Sequence, residues 1–206
     1  MDARVVDLSH HNDVTSFQNV ASAGVWGVIH KVTQGTEFVD SRYALRRPTA
    51  LAAGLLWGAY HFNTADPVNA QVDFFIQHAM PDANTLMVLD YEDYRPNMSI
   101  HQAVEFLHLL EQKMGRKGAI YSGNRVKETI GQLNAADRQY LCSHRLWLCQ
   151  YGPKAVLPPG WDHWWLWQFT GDGVGPLPHT IPGIAGSGID INTFVGTQLN
   201  LATSWA

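Results

Sequence analysis

Short apolar runs and stretches of helical spacing alternate along the chain. Leu86-Met87-Val88-Leu89 is an apolar run that reads as a strand buried on both faces. Similar runs occupy Arg4–Ser9, Val25–Val32, Leu55–Phe62, Gly118–Ser122, Leu146–Tyr151, Trp164–Phe169 and Gly188–Asn192. The segments between them carry helix signals. Phe17, Val20 and Ala21 have helical spacing within Thr15–Ala23, and Gly24 ends that pattern. Asp40 is placed to cap a helix over Ser41–Arg47, which Pro48 breaks or restarts. Asp66-Pro67 reads as an N-cap followed by proline at the first helical position, opening a helix to about His78. Ser99 and Gln102 form a capping box. Behind it, Ile100, Ala103, Val104, Leu107, Leu110 and Met114 make one apolar stripe, and Gly115 stops it. Arg125–Leu133 and Ala135–Leu141 are predicted helices, with Asn134 capping the second. Gly152–Asp162 and Thr170–Gly188 are rich in proline and glycine and show no helical pattern.

Strands alternating with helices imply parallel pairing and right-handed crossovers. The expected fold is α/β: a modified (β/α)8 TIM-like barrel with about eight strands and an incomplete ring of about five helices. Such barrels typically need about 250 residues, and the helix-poor connections late in this chain are where it economises. An open doubly wound sheet is the alternative. It explains less well why polar residues end nearly every strand.

Composition narrows the functional classes. The chain has 206 residues, 46% of them hydrophobic, which suits one sizeable core and is short for two domains. The formal net charge is −4 with no long basic run, which disfavours nucleic acid as a partner. No apolar run is long enough for a membrane span. Cys142 and Cys149 do not make a disulfide framework and read as buried thiols without zinc-ligand spacing. The ten histidines raise the question of a metal-dependent hydrolase. His10 and His11 are adjacent and diverge in a strand, and His30, His61, His144 and His163 show no ligand-like pairing. Neither a metal nor a cofactor is expected. Eight tryptophans are many for this length, and aromatic faces suit a sugar-binding cleft.

The candidate chemistry lies at the strand ends, which share one rim in a parallel barrel. In order they carry Asp7, Lys31, Tyr60 with His61, Asp90 with Glu92, Tyr121, Tyr151, Gln168, and Asp190 with Asn192. Asp90 and Glu92 are two positions apart and so share a face. Repulsion and partial burial raise one pKa of such a pair, leaving a proton donor beside an anion. That pairing suits cleavage of a glycosidic bond. Each residue alone has a duller explanation. Asp7 could cap a turn, Lys31 could be a surface lysine, the tyrosines could be core rings, and His61 could be a satisfied core histidine. Their joint placement is what chance explains poorly.

The ordered blocks Asp7-Leu8-Ser9-His10-His11, His30-Lys31-Val32-Thr33-Gln34-Gly35, Gly58-Ala59-Tyr60-His61-Phe62, Leu89-Asp90-Tyr91-Glu92, Ile120-Tyr121-Ser122-Gly123, Leu146-Trp147-Leu148, Trp167-Gln168-Phe169-Thr170 and Ile189-Asp190-Ile191-Asn192-Thr193-Phe194 resemble family 25 glycoside hydrolases, the CH-type lysozymes. The resemblance spans Val5 to about Phe194. It implies cleavage of the β-1,4 bond between N-acetylmuramic acid and N-acetylglucosamine in peptidoglycan. It implies Glu92 as general acid, Asp90 orienting the 2-acetamido group or stabilising the cation, and Asp7 and Asp190 completing an acidic floor. Lys31, Tyr60, His61, Tyr121, Tyr151, Gln168 and Asn192 become the expected sugar contacts.

Glu92 is expected to hold a proton near neutral pH while Asp90 stays ionised. Retention through the substrate's own acetamido oxygen is the expected course, since two carboxylates on one strand do not flank a sugar. Residues 1–206 are expected to be a single catalytic barrel, monomeric, without a separate cell-wall-binding module. No signal-peptide layout opens the sequence. The enzyme is therefore expected to be made in the cytoplasm and released by lysis or a secretion machine, or to have lost a leader, before acting on the wall. A non-catalytic glycan-binding barrel is the main alternative, but it predicts loss of the proton donor that Glu92 supplies.

Overall fold

The structure is a computed structural model and describes residues 1–93 and 95–206. Eight strands close into a ring. They are β1 (Val5–Leu8), β2 (Gly27–Gln34), β4 (Leu56–Phe62), β5 (Leu86–Asp90), β6 (Ala119–Ser122), β7 (Arg145–Cys149), β8 (Leu166–Thr170) and β9 (Ile191–Thr193), with β9 returning to β1. A two-residue strand, β3 (Phe38–Val39), folds back antiparallel on the end of β2. Helices occupy five connections. α1 (Phe17–Ser22) joins β1 to β2, α2 (Tyr43–Ala52) leads to β4, α3 (Val68–Ala79) to β5, and α4 (Ile100–Met114) to β6. α5 (Asn124–Thr129) and α6 (Ala135–Cys142) lead to β7, and α7 (Gln198–Thr203) follows the barrel. The connections β7–β8 and β8–β9 are helix-free among the described residues.

Period-two alternation sorts the strand side chains into two cores. Val6, Leu8, Val28, Ala59, Met87, Leu89, Ile120, Leu146, Leu148 and Phe169 point outward and meet the helices. Val5, Ile29, Leu86, Val88, Ala119 and Leu166 point inward and fill the lower barrel. The predicted caps hold where packing supports them. The Ser99–Gln102 capping box starts α4, left-handed Gly115 ends it, and the Asn134 side chain caps α6.

Four local expectations are corrected. First, Pro48 lies inside α2, because Tyr43 and Ala50 are buried on the barrel side and their packing outweighs one missing helical hydrogen bond. Second, Asp66 does not cap α3; its carboxylate accepts from the Thr36 amide and the Thr64 hydroxyl, tying that loop to the β2–β3 turn. Third, β9 runs antiparallel to both β8 and β1. The β8–β9 loop has no helix to carry the chain to the far end of the barrel. It stays on the upper rim, where Thr15 and Ser16 donate to the Gly183 carbonyl, and the last strand enters from above. Fourth, α7 went unforeseen. It opens on a Thr197–Asn200 capping box and delivers Trp205 into the lower mouth of the barrel.

Candidate active site

One step above the apolar layer, the inward positions turn polar. Asp7, Lys31, Tyr60, Asp90, Glu92, Tyr121, Tyr151, Gln168 and Asp190 line one cavity of about 390 Å³ at the upper mouth. Asp190 reaches this rim because it precedes an antiparallel strand, so the register that overturned the all-parallel expectation still delivers the carboxylate to the same end. Tyr91, between Asp90 and Glu92, points away and is fully buried among the helices. The two acids therefore share the inner face.

Asp7 is held by three bonds. Gln168 Nε2 donates to both carboxylate oxygens, at 3.1 and 3.0 Å, and Asn192 Nδ2 donates to Oδ2 at 2.8 Å. Gln168 is itself oriented by the Tyr121 hydroxyl, which donates to its Oε1 at 2.7 Å. Asn192 accepts from Trp147 Nε1, and the Trp147 ring forms the cavity floor beside Tyr60 and Tyr121. These donors favour ionised Asp7. Burial opposes them and Glu92 repels it, pushing its pKa up to about 6.

The other carboxylates are less well served. Asp90 is almost wholly buried, and its Oδ1 has no hydrogen-bond partner. Burial and then Glu92 raise its pKa well above the carboxylate range, against the pull of Lys31. The expectation that Asp90 stays ionised therefore meets a cost from burial that Lys31 offsets in part. Burial also raises Glu92, with repulsion from Asp172 added and a hydrogen bond to Cys149 opposing. Asp190 rises to about 9, through burial first and then Asp7 and Asp172. In a poorly solvated cluster these groups cannot all ionise, so the open cleft keeps protons at neutral pH.

This has a consequence for stability. The folded protein holds a proton on Asp190 up to about pH 9, whereas an unfolded chain loses it near 3.8. Across that window the folded state binds more protons, so stability falls as pH rises, by at most about 1.4 kcal/mol per pH unit for one group. Asp7 adds the same trend up to about pH 6. Below about pH 6.5 the opposite trend comes from His30, His61 and His144, whose burial lowers each to about 4. Above pH 7 these are neutral in both states, so we expect a lower Tm at pH 8.5 than at pH 7, and Asp190→Asn should raise the pH 8.5 value and flatten the difference. A thermal-shift series across pH checks this; a wild-type Tm that climbs from pH 7 to 8.5 would contradict the cluster described here.

Two of the expected sugar contacts lie elsewhere. His61 follows Tyr60, so alternation turns it outward. It is fully buried, bonded to the Thr33 hydroxyl and Gln71, and stacked on Phe106. Asn192 lies beneath Asp7 with its amide engaged by Trp147, the Val5 carbonyl and Asp7, so it supports Asp7 rather than facing a ligand. Ser9, His11, Phe62, Trp147, Cys149 and Asp172 also line the cavity and were not among the expected site residues. Trp147 and Cys149 are two apart on β7 and face inward together, a signal alternation would have given. Asp172 follows β8 in a Gly-Asp-Gly turn and lines the cavity.

A second cavity of about 600 Å³ adjoins the first. The two share Glu92, Cys149 and Tyr151, and the second extends to Asn124, Arg125, Glu128 and Gln150. Glu92 thus stands where two saccharide-sized spaces meet. A raised carboxylic acid at that junction, beside a second carboxyl group, on the upper rim of a barrel, defines a glycoside hydrolase site.

The chain belongs to the glycosyl hydrolases family 25, whose model matches residues 6–176. It is 27% identical to lysozyme M1 of Streptomyces globisporus over 214 aligned residues, covering 95% of this chain and 69% of that protein. Its fold superposes on the bacterial lysozyme from Streptomyces coelicolor with a TM-score of 0.85 at 25% identity, covering 100% of this chain and 97% of that one. A muramidase from Trichobolus zukalii matches with a TM-score of 0.80 at 25% identity, covering 97% of each chain.

Proposed function

We propose that this chain hydrolyses the β-1,4 bond between N-acetylmuramic acid and N-acetylglucosamine in peptidoglycan, with Glu92 as general acid. The position of Glu92 on the divide between the two cavities carries this reading. The muramic acid residue occupies the deep cavity over Trp147, and the leaving N-acetylglucosamine occupies the outer one. The glycosidic oxygen then lies beside Glu92.

The proposed course is retaining and substrate-assisted. Glu92 gives its proton to the glycosidic oxygen as the C1–O bond breaks. The acetamido carbonyl oxygen of the same sugar attacks C1 and closes an oxazolinium ring. Asp90 accepts the acetamido N–H on the oxygen that lacks a partner in the open cleft. That donor, with Lys31, draws Asp90 to its ionised form once substrate is bound. Water then attacks C1, Glu92 takes its proton back, and the ring oxygen returns to the acetamido group. The anomeric configuration is retained.

Activity is expected to fall as pH rises through the raised pKa of Glu92, because the acid is then already deprotonated. Asp90→Asn should lower kcat by about a hundredfold with little change in KM, the usual size of a lost transition-state stabiliser. Mass analysis of fragments released from purified peptidoglycan would identify the bond, and NMR of fresh product would identify the anomer. Reducing ends on N-acetylglucosamine would sink the muramidase reading; an inverted anomer would sink the retaining one.

The substrate lies in the cell wall, so the enzyme acts outside the cytoplasmic membrane. No helix among the described residues is long and apolar enough to cross a membrane. We further propose that the barrel acts as a monomer, since both cavities are complete within one chain.

A further inference from the structure

We propose that the Gly171-Asp172 turn positions the reacting groups, and that Asp172 touches the bound glycan, accepting a hydrogen bond from a sugar hydroxyl or amide on the cleft wall beside Asp190. The proposal rests on the hydrolytic reading above and adds a specificity-determining residue to it. Asp172 lines the deep cavity together with Tyr151 and Asp190. Its backbone is left-handed, with φ 51°, a conformation uncommon for a residue with a side chain.

The turn is held from both sides. The Asp172 amide donates to the Gly188 carbonyl at 3.1 Å, and Gly171 exchanges two backbone bonds with Val174, at 3.1 and 2.7 Å. Gly171 packs its bare backbone against the cleft: a Cβ there would collide with Asp190 Oδ1 and with the Tyr151 hydroxyl. The same short segment therefore seats Asp190 from behind and presents a carboxylate of its own. Asp190 Oδ1 is buried with no partner, so a polar group of the ligand can meet it. Two carboxyl groups set side by side by one turn match adjacent polar groups on a sugar ring.

Asp172 is also a charge placed against Glu92. Asp90 lines the cavity with Glu92 from the end of β5, Asp7 from β1, and Asp190 from just before β9. Tyr60, Tyr121, Cys149 and Tyr151 complete the wall, Lys31 stands beyond Asp90, and Asp93, Arg125 and Glu128 flank Glu92 in the outer cavity. Asp172 and Asp190 stand at the two ends of the β8–β9 loop, and of the two it is Asp172 that repels a charge on Glu92. Its negative charge helps keep the proton on Glu92.

Three variants test this: Asp172→Asn, Asp172→Ala and Gly171→Ala. Asp172→Ala should raise KM by about tenfold, the usual effect of losing a hydrogen bond to a charged group. Asp172→Asn should raise it less, because the amide oxygen still accepts. Both should move the alkaline limb of kcat/KM to lower pH, which a purely structural turn residue would not do. Gly171→Ala should lower kcat by tenfold or more by displacing Asp190. Wild-type KM and an unmoved alkaline limb in both Asp172 variants would overturn the proposal. Two readouts do not need turnover. Titration of the Glu92 carboxyl carbon by NMR should give a lower pKa in Asp172→Asn than in wild type, and an unchanged pKa counts against the charge role. Tryptophan fluorescence titration with a purified disaccharide–peptide fragment of peptidoglycan should show weaker binding by Asp172→Ala, and equal binding counts against contact. If the wild-type enzyme fails to cleave peptidoglycan, the hydrolytic reading falls, while these two measurements still decide what Asp172 does.

Discussion

Glu92→Gln is expected to lower kcat by about a thousandfold or more without disturbing the fold. General acid catalysis contributes about 10²–10⁴ in rate, and here the acid serves both halves of the reaction. Glutamine keeps the shape and the hydrogen-bonding reach of the side chain but has no proton to release. Glu92 is partly exposed at the cavity junction, so the exchange opens no hole in either core. It also removes an ionisable carboxyl group from a cluster in which Asp7, Asp90 and Asp190 are all raised, and it creates no buried charge. The variant should therefore melt at or above the wild-type temperature near neutral pH. Clearing of a peptidoglycan suspension, read beside circular dichroism and a melting curve, checks both parts. Clearing near the wild-type rate by a folded variant would remove Glu92 from the mechanism.

Much of this site was legible because a barrel converts a one-dimensional pattern into a three-dimensional one. Toward the upper rim the inward strand positions turn from apolar to polar, and alternation selects which polar residues face in. Asp90 with Glu92, and Asp7 with its counterpart from the last strand, follow from that rule alone. The same rule, applied more strictly, would have excluded His61, since neighbours on a strand cannot share a face. It would also have included Trp147 and Cys149. Asp172 was beyond it, because a loop has no period, and a left-handed aspartate between two glycines reads as an ordinary turn. The antiparallel entry of β9 was hidden for a related reason. It pairs with two residues of β1 and three of β8 through backbone groups, which carry no sequence mark, and only the missing helix before it hinted that the chain stays on the upper rim. The rise in the Asp90 pKa was hidden because spacing shows proximity to Glu92 but not depth. Burial is its largest cause, with Glu92 second.

The largest effect on stability is expected at the opposite mouth, from Trp205→Ala. The lower barrel is narrowed by glycine at Gly27 and Gly58, where added Cβ atoms would lie 2.9 and 3.3 Å from the Trp205 ring. The indole fills that space, is 1% exposed, and packs against Trp165 with ring centroids 5.7 Å apart. Its Nε1 donates to the Trp57 carbonyl at 2.9 Å, which anchors the chain end to β4. Truncation to alanine costs about 3–5 kcal/mol, the range for a buried tryptophan. For a chain of this size each kcal/mol shifts Tm by about 2–4 °C, so a fall of roughly 10 °C is expected. Activity per folded molecule at low temperature should survive, because the carboxylates occupy the other end of the barrel and are held by bonds among β1, β6, β8 and β9. A melting curve paired with a peptidoglycan assay well below the transition separates the two. An unchanged Tm would mean that the lower mouth closes without the indole. A lost activity in a folded variant would mean that the two ends of the barrel are coupled through the inward layer of Val5, Ile29 and Val88.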